Sequence, residues 1–237
     1  MFRACLLIII SVITVARSQV DIGYQNPPDE IFKLVDIDLP PRVLMDENKR
    51  YMIHLYRDTY KTIEELSEKE MRLAGLRLNP KTNIGSRITY YKNIKISDLD
   101  DDNHSPKQVN GMPSNPRIAN IKWSPDQTKI AMTNTTSKGV ELWYLDLSKR
   151  KIKKLTGPDL NGNLGNVINW FQDGKSILAK FVPKDIPKIL SAENIIPNGP
   201  TISTNDGKKA QNRTYQDLLK NKNDERNFET LVNSELY

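Results

Sequence analysis

Apolar and polar residues alternate along residues 117–157 in four short runs, at 121–123, 129–132, 140–147 and 152–156. Turn residues separate the runs, including Ser124-Pro-Asp126 after the first run and a basic stretch before the last. Alternation with a period of two predicts strands, and the turn residues predict tight connections between consecutive strands. The sequence therefore predicts a four-stranded antiparallel sheet over this segment.

A repeat with a fixed offset accompanies these strands. Trp123-Ser-Pro-Asp126 recurs as Trp170-Phe-Gln-Asp173, so the tryptophans and the aspartates both lie 47 residues apart. A weaker copy without the tryptophan surrounds Asp46. Repeated units of this length indicate the blades of a β-propeller. We expect each aspartate to close a turn on backbone N–H groups, and the tryptophans to be core residues that pack between blades.

The predicted fold class is all-β: an incomplete β-propeller of TolB-like four-stranded blades with short helical insertions. We place a signal peptide at 1–18, an extended N-terminal segment at 19–41 and a partial propeller at 42–237. The propeller is expected to hold about two blades and a half-blade, with an insertion at 183–233. Because Glu235-Leu-Tyr237 matches Glu141-Leu-Trp143 at the start of a third blade strand, we expect a chain truncated inside a blade.

Short helices are expected at three places beside the strands. Asp29 follows a proline pair and can cap a helix that runs to about Val35. Thr62 precedes Glu65 by three residues, in the pattern of a capping box, and Thr214 stands in the same relation to Asp217.

Residues 1–18 have the three parts of a secretory signal. Arg3 provides the positive start, residues 6–15 form the apolar run, and the small residues Ala16 and Ser18 precede Gln19. The apolar run is shorter than the roughly twenty residues that a membrane-spanning helix needs. We therefore expect cleavage before Gln19, export to the periplasm or the medium, and no membrane association after cleavage.

The amino-acid composition excludes several classes of partner and cofactor. The formal net charge of +6 falls to +4 when the two arginines of residues 1–18 are removed, and this excess gives no case for binding nucleic acid. The densest basic stretch, residues 149–154, is interpreted as a solvated turn that leads into a strand. The only cysteine, Cys5, lies in the predicted signal, so we expect no disulfide, thiol chemistry, metal site or other cofactor.

Several segments match a known family. They are Tyr24-Gln-Asn-Pro-Pro28, residues 63–66 and 73–77, the Trp123 turn, residues 133–136 and 141–143, residues 155–158, and residues 206–209 and 213–219. Together they resemble the N-terminal propeller portion of serine peptidases of the prolyl oligopeptidase family. The exported bacterial members related to plastid glutamyl endopeptidases are the most similar branch. The resemblance covers nearly all of the predicted mature chain, and residues 24–28 and 213–219 are its most specific parts.

This resemblance implies a propeller that restricts which peptides reach a C-terminal α/β-hydrolase domain with a catalytic Ser, Asp and His. No Gly-x-Ser-x-Gly elbow occurs in the sequence, so no catalytic residue is assigned and the chain alone is expected to be inactive. His54 in a predicted strand and His104 in an acidic loop are interpreted as structural residues without a nucleophile partner.

Asp98, Asp100 and Asp102 alternate as the ligands of a calcium loop do. Asn103 and Val109 replace the glycine and the glutamate that such a loop requires. The interpretation that we prefer is a solvated hairpin loop.

Glu64 and Glu65 resemble the paired glutamates with which some dipeptidyl relatives hold the free amino terminus of a substrate. The surrounding motif of those relatives is missing here. We therefore interpret them as exposed carboxylates in the first turn of a helix, where the helix dipole favours negative charge.

Two functions from different classes remain open. The first is a fragment of an exported peptidase, which contributes the propeller but lacks the catalytic domain. The alternative is a non-catalytic exported TolB-like propeller that binds a peptide or a protein partner. We prefer the first, because an independent propeller is expected to close its ring and cover its open strand edges.

Overall fold

The computed structural model describes residues 25–190, 207 and 216–237. The predicted signal peptide and the predicted helix start at Thr214 lie outside these residues. The chain divides into two compact units at Asp38 and Leu39. In the first unit, α1 (Asp29–Val35) confirms the predicted short helix. The capping role expected of Asp29 is wrong, because Pro28 takes the N-cap position and no side chain caps the helix.

The described residues of the second unit are mostly strands. The strands are β1 (Arg42–Met45), β2 (Tyr51–Tyr56), β3 (Met71–Leu73), β4 (Leu76–Asn79), β5 (Ile84–Gly85), β6 (Asn93–Asp98), β7 (Lys107–Gln108), β8 (Ile118–Trp123), β9 (Lys129–Thr136), β10 (Gly139–Asp146), β11 (Lys151–Lys154), β12 (Ile168–Trp170), β13 (Ile177–Phe181) and β14 (Glu235–Leu236). The helices are α2 (Ile63–Ser67) and α3 (Lys222–Val232).

The strands form antiparallel sheets of three or four strands. Blade I has the order β1-β2-β6-β7, blade II the order β8-β9-β10-β11, and blade III the order β12-β13-β14. An accessory sheet, β3-β4-β5, lies in the connection between β2 and β6. In blade II all four predicted strands are confirmed, and β9 and β10 pair over eight residues. The fold is all-β with consecutive antiparallel strands in each blade, as in a β-propeller.

The first and second strands of each blade are joined by an aspartate turn, as the repeat predicts. The carboxylates of Asp46, Asp126 and Asp173 accept hydrogen bonds from backbone N–H groups a few residues later, at 2.6 to 3.1 Å. In a tight turn, some backbone N–H groups have no partner in a neighbouring strand. The aspartate carboxylates provide the missing hydrogen-bond acceptors. The predicted role of the three aspartates is confirmed.

The tryptophans pack between blades but are only half-buried. Trp170 of blade III donates a hydrogen bond from Nε1 to the backbone oxygen of Lys122 in blade II, at 3.0 Å. Trp123 and Trp143 pack against the core between blades I and II. The predicted packing is confirmed, whereas full burial is not observed. The large indole keeps part of its surface in water while its N–H reaches a polar partner.

Two buried clusters hold the blades together. One lies between blades I and II and includes Ile53, Ile96 and Met132. The other lies between blades II and III and includes Leu142 and Ile168. Because neighbouring residues of β9 and β10 face opposite clusters, both faces of blade II are covered. Blade II is therefore the central layer of the described structure.

The connection from β13 to β14 carries α3, which begins later than predicted. Residues 216–220 are not helical, and the side chain of Asn221 caps α3 by accepting two backbone N–H bonds at 2.9 Å. Asp217 has a φ of 58°, in the left-handed region that a helix cannot include. The prediction that Asp217 lies within a helix is therefore wrong.

The accessory sheet and α3 pack against each other, although they come from connections in different blades. Leu73 and Leu78 of the accessory sheet form a small buried cluster with Leu231 of α3. Arg77 adds an ion pair with Asp217 at 3.5 Å. We call α2, the accessory sheet and α3 the accessory layer.

Candidate functional site

A cleft of about 800 Å³ lies between the accessory layer and blade II. Glu64, Glu68 and Thr82 line its accessory wall, and Glu141 and residues 134–137 line the blade wall. Ligand sites in proteins commonly have volumes of about 300–1,000 Å³. Most of the lining side chains are polar, so the cleft suits a ligand that forms hydrogen bonds. We call it the Arg117 cleft.

Arg117, which directly precedes β8, connects the two walls. Its Nη1 donates a hydrogen bond to Glu68 Oε1 at 3.0 Å, and its Nε lies 3.6 Å from Glu65 Oε1. The guanidinium stands 4.4 Å from the ring centre of Tyr90, within the range of a cation–π contact. Its backbone N–H donates to Asn134 Oδ1 of β9 at 2.9 Å. The positive charge of Arg117 is therefore balanced by two carboxylates of the accessory layer.

Glu141 organises the blade wall of the cleft. Its carboxylate accepts hydrogen bonds from Asn134 Nδ2 at 3.1 Å and Trp143 Nε1 at 2.8 Å, and a third from Lys154 Nζ. Burial raises the pKa of Glu141, but these donors outweigh it, and the pKa lies below its usual range. Glu141 therefore stays ionised near neutral pH, as part of a satisfied hydrogen-bond network and not as a proton donor.

The two glutamates singled out in the sequence have different environments. Glu64 is exposed at the rim of the cleft, as expected. Glu65 closes the predicted capping box with Thr62 and also faces Arg117, and its side chain is only 12% exposed. The expectation of an exposed carboxylate is therefore wrong for Glu65. Glu65 is buried because it pairs with Arg117, which is distant in the sequence.

The histidines lie outside the lining of the cleft. His54 of β2 has Nε2 3.0 Å from Ser97 Oγ of β6, so its hydrogen-bond partner lies within blade I. Ser97 is 1% exposed, which puts its hydroxyl out of reach of a peptide carbonyl. Burial, with a smaller effect of Lys95, lowers the pKa of His54. His104 is exposed in the loop between β6 and β7.

The acidic loop after β6 is bound to basic side chains. Arg50 lies 3.9 Å from Asp98 and 3.2 Å from Asp100, and Asp101 pairs with Lys107. In the part of the chain that the structure describes, no group of three or more His, Cys, Asp or Glu side chains could hold a metal ion. The same residues contain no helix long and apolar enough to cross a membrane.

Sequence reasoning missed Arg117, Glu68, Glu141 and Lys154. Glu141 and Lys154 could have been found from the predicted β10–β11 hairpin. Lys154 pairs with Trp143 across this hairpin, and Trp143 lies two residues from Glu141. Arg117 and Glu68 lie 49 residues apart in different parts of the fold. No local pattern marks such a pair.

Comparison with known proteins finds two plant relatives. The chain is 28% identical over 230 residues to the probable chloroplastic glutamyl endopeptidase of Oryza sativa subsp. japonica. It is also 28% identical over 228 residues to the probable chloroplastic glutamyl endopeptidase of Arabidopsis thaliana. Each alignment covers 90% of this chain, but only 24% and 23% of the relatives, so the chain spans about a quarter of their length. No family model matches the chain.

Solved structures give weaker matches. The acylaminoacyl peptidase of Pyrococcus horikoshii has a TM-score of 0.36 and 17% identity, over 68% of this chain and 20% of that protein. TolB from Acinetobacter baumannii has a TM-score of 0.29 and 30% identity, over 41% of this chain and 22% of TolB.

Proposed function

We propose that this chain is the propeller portion of an exported serine peptidase of the prolyl oligopeptidase family, similar to the glutamyl endopeptidases. The observation that supports it most is the similarity of 90% of the chain to two glutamyl endopeptidases. The all-β fold with blade-like antiparallel sheets agrees with a propeller portion of such a protein. The sequence contains no Gly-x-Ser-x-Gly elbow, so the proposal assigns the chemistry to a hydrolase domain outside this sequence.

The proposed role of the propeller is to select peptides by size and shape. A rigid wall beside a catalytic pocket admits extended peptides and excludes folded proteins, whose chains cannot enter without unfolding. The buried clusters on both faces of blade II provide that rigidity.

Export is part of the same proposal. It is supported by Arg3, the apolar run at 6–15 and the small residues Ala16 and Ser18 in the sequence. The mature protein is then expected to begin at Gln19. Peptides in the periplasm or the medium would be its substrates.

The experiment is fluorophosphonate labelling of material isolated from the source cells with antibodies against blade II. We expect a polypeptide larger than this chain to react through its active-site serine, with Gln19 at its amino terminus by mass spectrometry. The same sequence expressed alone is the control, and it should remain unlabelled because it lacks an activated nucleophile. Labelling of the isolated chain, or a larger polypeptide that carries no reactive serine, would contradict the proposal.

A further inference from the structure

A second, smaller pocket lies between blades I and II. β1 is an edge strand of blade I and β8 is an edge strand of blade II, and residues of both strands line the pocket. The segment just before β6 forms the rest of the wall. The volume of about 270 Å³ is slightly below the range of about 300–1,000 Å³ that is usual for small-molecule sites, so the pocket suits one residue of a longer ligand. We call it the Arg42 pocket.

Arg42, the first residue of β1, gives the pocket an unbalanced positive charge. It is exposed, and of the described residues that line the pocket it is the only charged one. Within the described part of the chain it forms no ion pair, and its Nη1 donates a hydrogen bond to the Tyr91 hydroxyl at 3.2 Å. A guanidinium has several N–H donors, so others remain for a ligand. The Arg117 cleft differs, because carboxylates as well as cations line it.

Tyr91 provides a second donor at a fixed position. Its backbone exchanges two hydrogen bonds with Ile118 of β8, at 2.9 and 3.0 Å. Its hydroxyl oxygen accepts the bond from Arg42, which leaves the hydroxyl hydrogen to donate to another oxygen. Thr89, an exposed residue of the same segment, adds a further hydroxyl to the pocket. An oxygen anion placed beside Arg42 can therefore accept hydrogen bonds from more than one side chain.

The opposite wall of the pocket is formed by a β-bulge. Between the paired residues Ala119 and Lys122, Asn120 and Ile121 of β8 stand opposite a single residue of β9. Bulges redirect side chains and are frequent beside functional sites. Asn120 has a φ of 50°, in the left-handed region, and its Nδ2 donates to Thr133 Oγ1 at 3.0 Å. Since an amide group has two N–H donors, the bulge brings a further donor to this wall.

These groups match a carboxylate better than a more highly charged anion. A carboxylate carries one negative charge, and its two oxygens fit the fork of a guanidinium. A phosphate dianion would need a second cation, which the described lining does not contain. Leu44, Ile88 and Ile121 add apolar surface for the carbon atoms that bear the carboxylate.

We propose that the Arg42 pocket binds a carboxylate of a peptide, at its carboxyl terminus or on an acidic side chain, with Arg42 and Tyr91 as the main donors. The inference rests on the proposed function, in which the propeller handles peptides, and it adds the place of binding and the group that is recognised. A carboxylate bound here contacts residues of blades I and II at once.

The experiment is an NMR titration of the isotope-labelled full chain with three pentapeptides. The first is Ala-Ala-Glu-Ala-Ala blocked at both ends, the second has Gln in place of Glu, and the third is acetylated pentaalanine with a free carboxyl terminus. We expect one or both carboxylate peptides to bind about tenfold or more tightly than the Gln peptide, because hydrogen bonds to charged groups are the stronger ones. The peptide that binds identifies the source of the carboxylate. Resonances of residues 42–44, 89–91 and 119–121 should shift.

Variants of the two donors test the assignment. Arg42→Gln should weaken binding of the carboxylate peptide about tenfold or more, and Tyr91→Phe about threefold. Arg42→Lys keeps the charge without the fork and should fall between wild type and Arg42→Gln. Arg226→Gln, at an exposed arginine of α3 outside the pocket, is the matched control and should bind as the wild type does. The melting temperature of Arg42→Gln should match that of the wild type, because no described ion pair is lost.

Equal binding of all three peptides, or equal binding by wild type and Arg42→Gln, would overturn the assignment of the pocket. So would displacement of the peptide by inorganic phosphate at lower concentrations than by acetate, because the pocket would then prefer phosphate. In each case the proposed function stands if the longer parent reacts with the fluorophosphonate. If the parent does not react while carboxylate binding depends on Arg42, the proposed function falls and the pocket assignment stands.

Discussion

At the scale of single residues, hydrogen bonds between polar side chains hold segments of the described structure together outside the strand pairs. Glu70, just before β3, accepts hydrogen bonds from Arg77 at 2.8 Å and Arg72 at 3.0 Å, and another from the Ser86 hydroxyl. The bond from Ser86, followed by those from the arginines, lowers the pKa of Glu70 to about 2. The Glu70 carboxylate thus links side chains of β3 and β4 to Ser86, which directly follows β5.

We predict that Glu70→Gln destabilises the protein and that the effect depends on pH. A carboxyl whose pKa is lowered by folding stabilises the protein above its unfolded pKa of about 4.3, and this contribution is lost as the pH falls towards 2. After allowance for screening by solvent, we expect a loss of about 1–2 kcal/mol at pH 7. The difference from the wild type should close between pH 5 and pH 2 in denaturant unfolding. Glu47→Gln, at an exposed position, is the matched control.

At the scale of elements, the aspartate turns of neighbouring blades touch each other. Gly174 follows Asp173 in blade III with a φ of +62°, and Gln127 takes the equivalent left-handed position in blade II. A Cβ at Gly174 would lie 3.2 Å from the carboxylate of Asp126 in blade II. Glycine at position 174 therefore meets two requirements, a left-handed backbone without strain and space for the Asp126 carboxylate of the next blade.

The comparison of Gly174→Ala with Gly165→Ala separates these two requirements. Both glycines have a similar positive φ, but a Cβ at Gly165 would meet no atom within 4 Å. We expect Gly165→Ala to lose about 1 kcal/mol from the left-handed backbone alone. Gly174→Ala should lose a further 0.5–1 kcal/mol or so, because the Asp126 carboxylate must move away from its hydrogen bonds. Equal losses in chemical denaturation would show that the turns of blades II and III do not press on each other.

The elements also show how far the sequence could predict the structure. Strand alternation and the repeated aspartates identified β8 to β11 and the three turns, because these depend on neighbouring residues in the chain. Apolar and polar residues alternate between Leu73 and Leu78, but no local pattern indicates the packing partner of the accessory sheet, Leu231, which is distant in sequence. The cleft depends on Arg117 and Glu68, which lie 49 residues apart, and of the two glutamates singled out in the sequence only Glu64 lines it.

At the scale of the whole molecule, a connection from blade I is anchored in the core of other blades. Ile84 of the accessory sheet is 1% exposed and packs in the cluster between blades II and III. Beside it, Gly162 donates its backbone N–H to Asn83 O at 2.7 Å. The accessory layer therefore shares a core with the blades, and the position of the Arg117 cleft depends on that shared core.

We predict that Ile84→Ala weakens the accessory sheet and blades II and III together. Truncation of a fully buried isoleucine costs about 2–5 kcal/mol, partly through the cavity that it leaves. In native-state hydrogen exchange, protection in β5, β10 and β12 should fall by a similar amount, because the three strands border the same cluster. Leu66→Ala in α2, where the side chain is 69% exposed, should change stability by less than about 0.5 kcal/mol. If the accessory sheet alone lost protection while β10 and β12 kept theirs, the accessory layer would be a separately folding attachment, and the shared core would not set the geometry of the cleft.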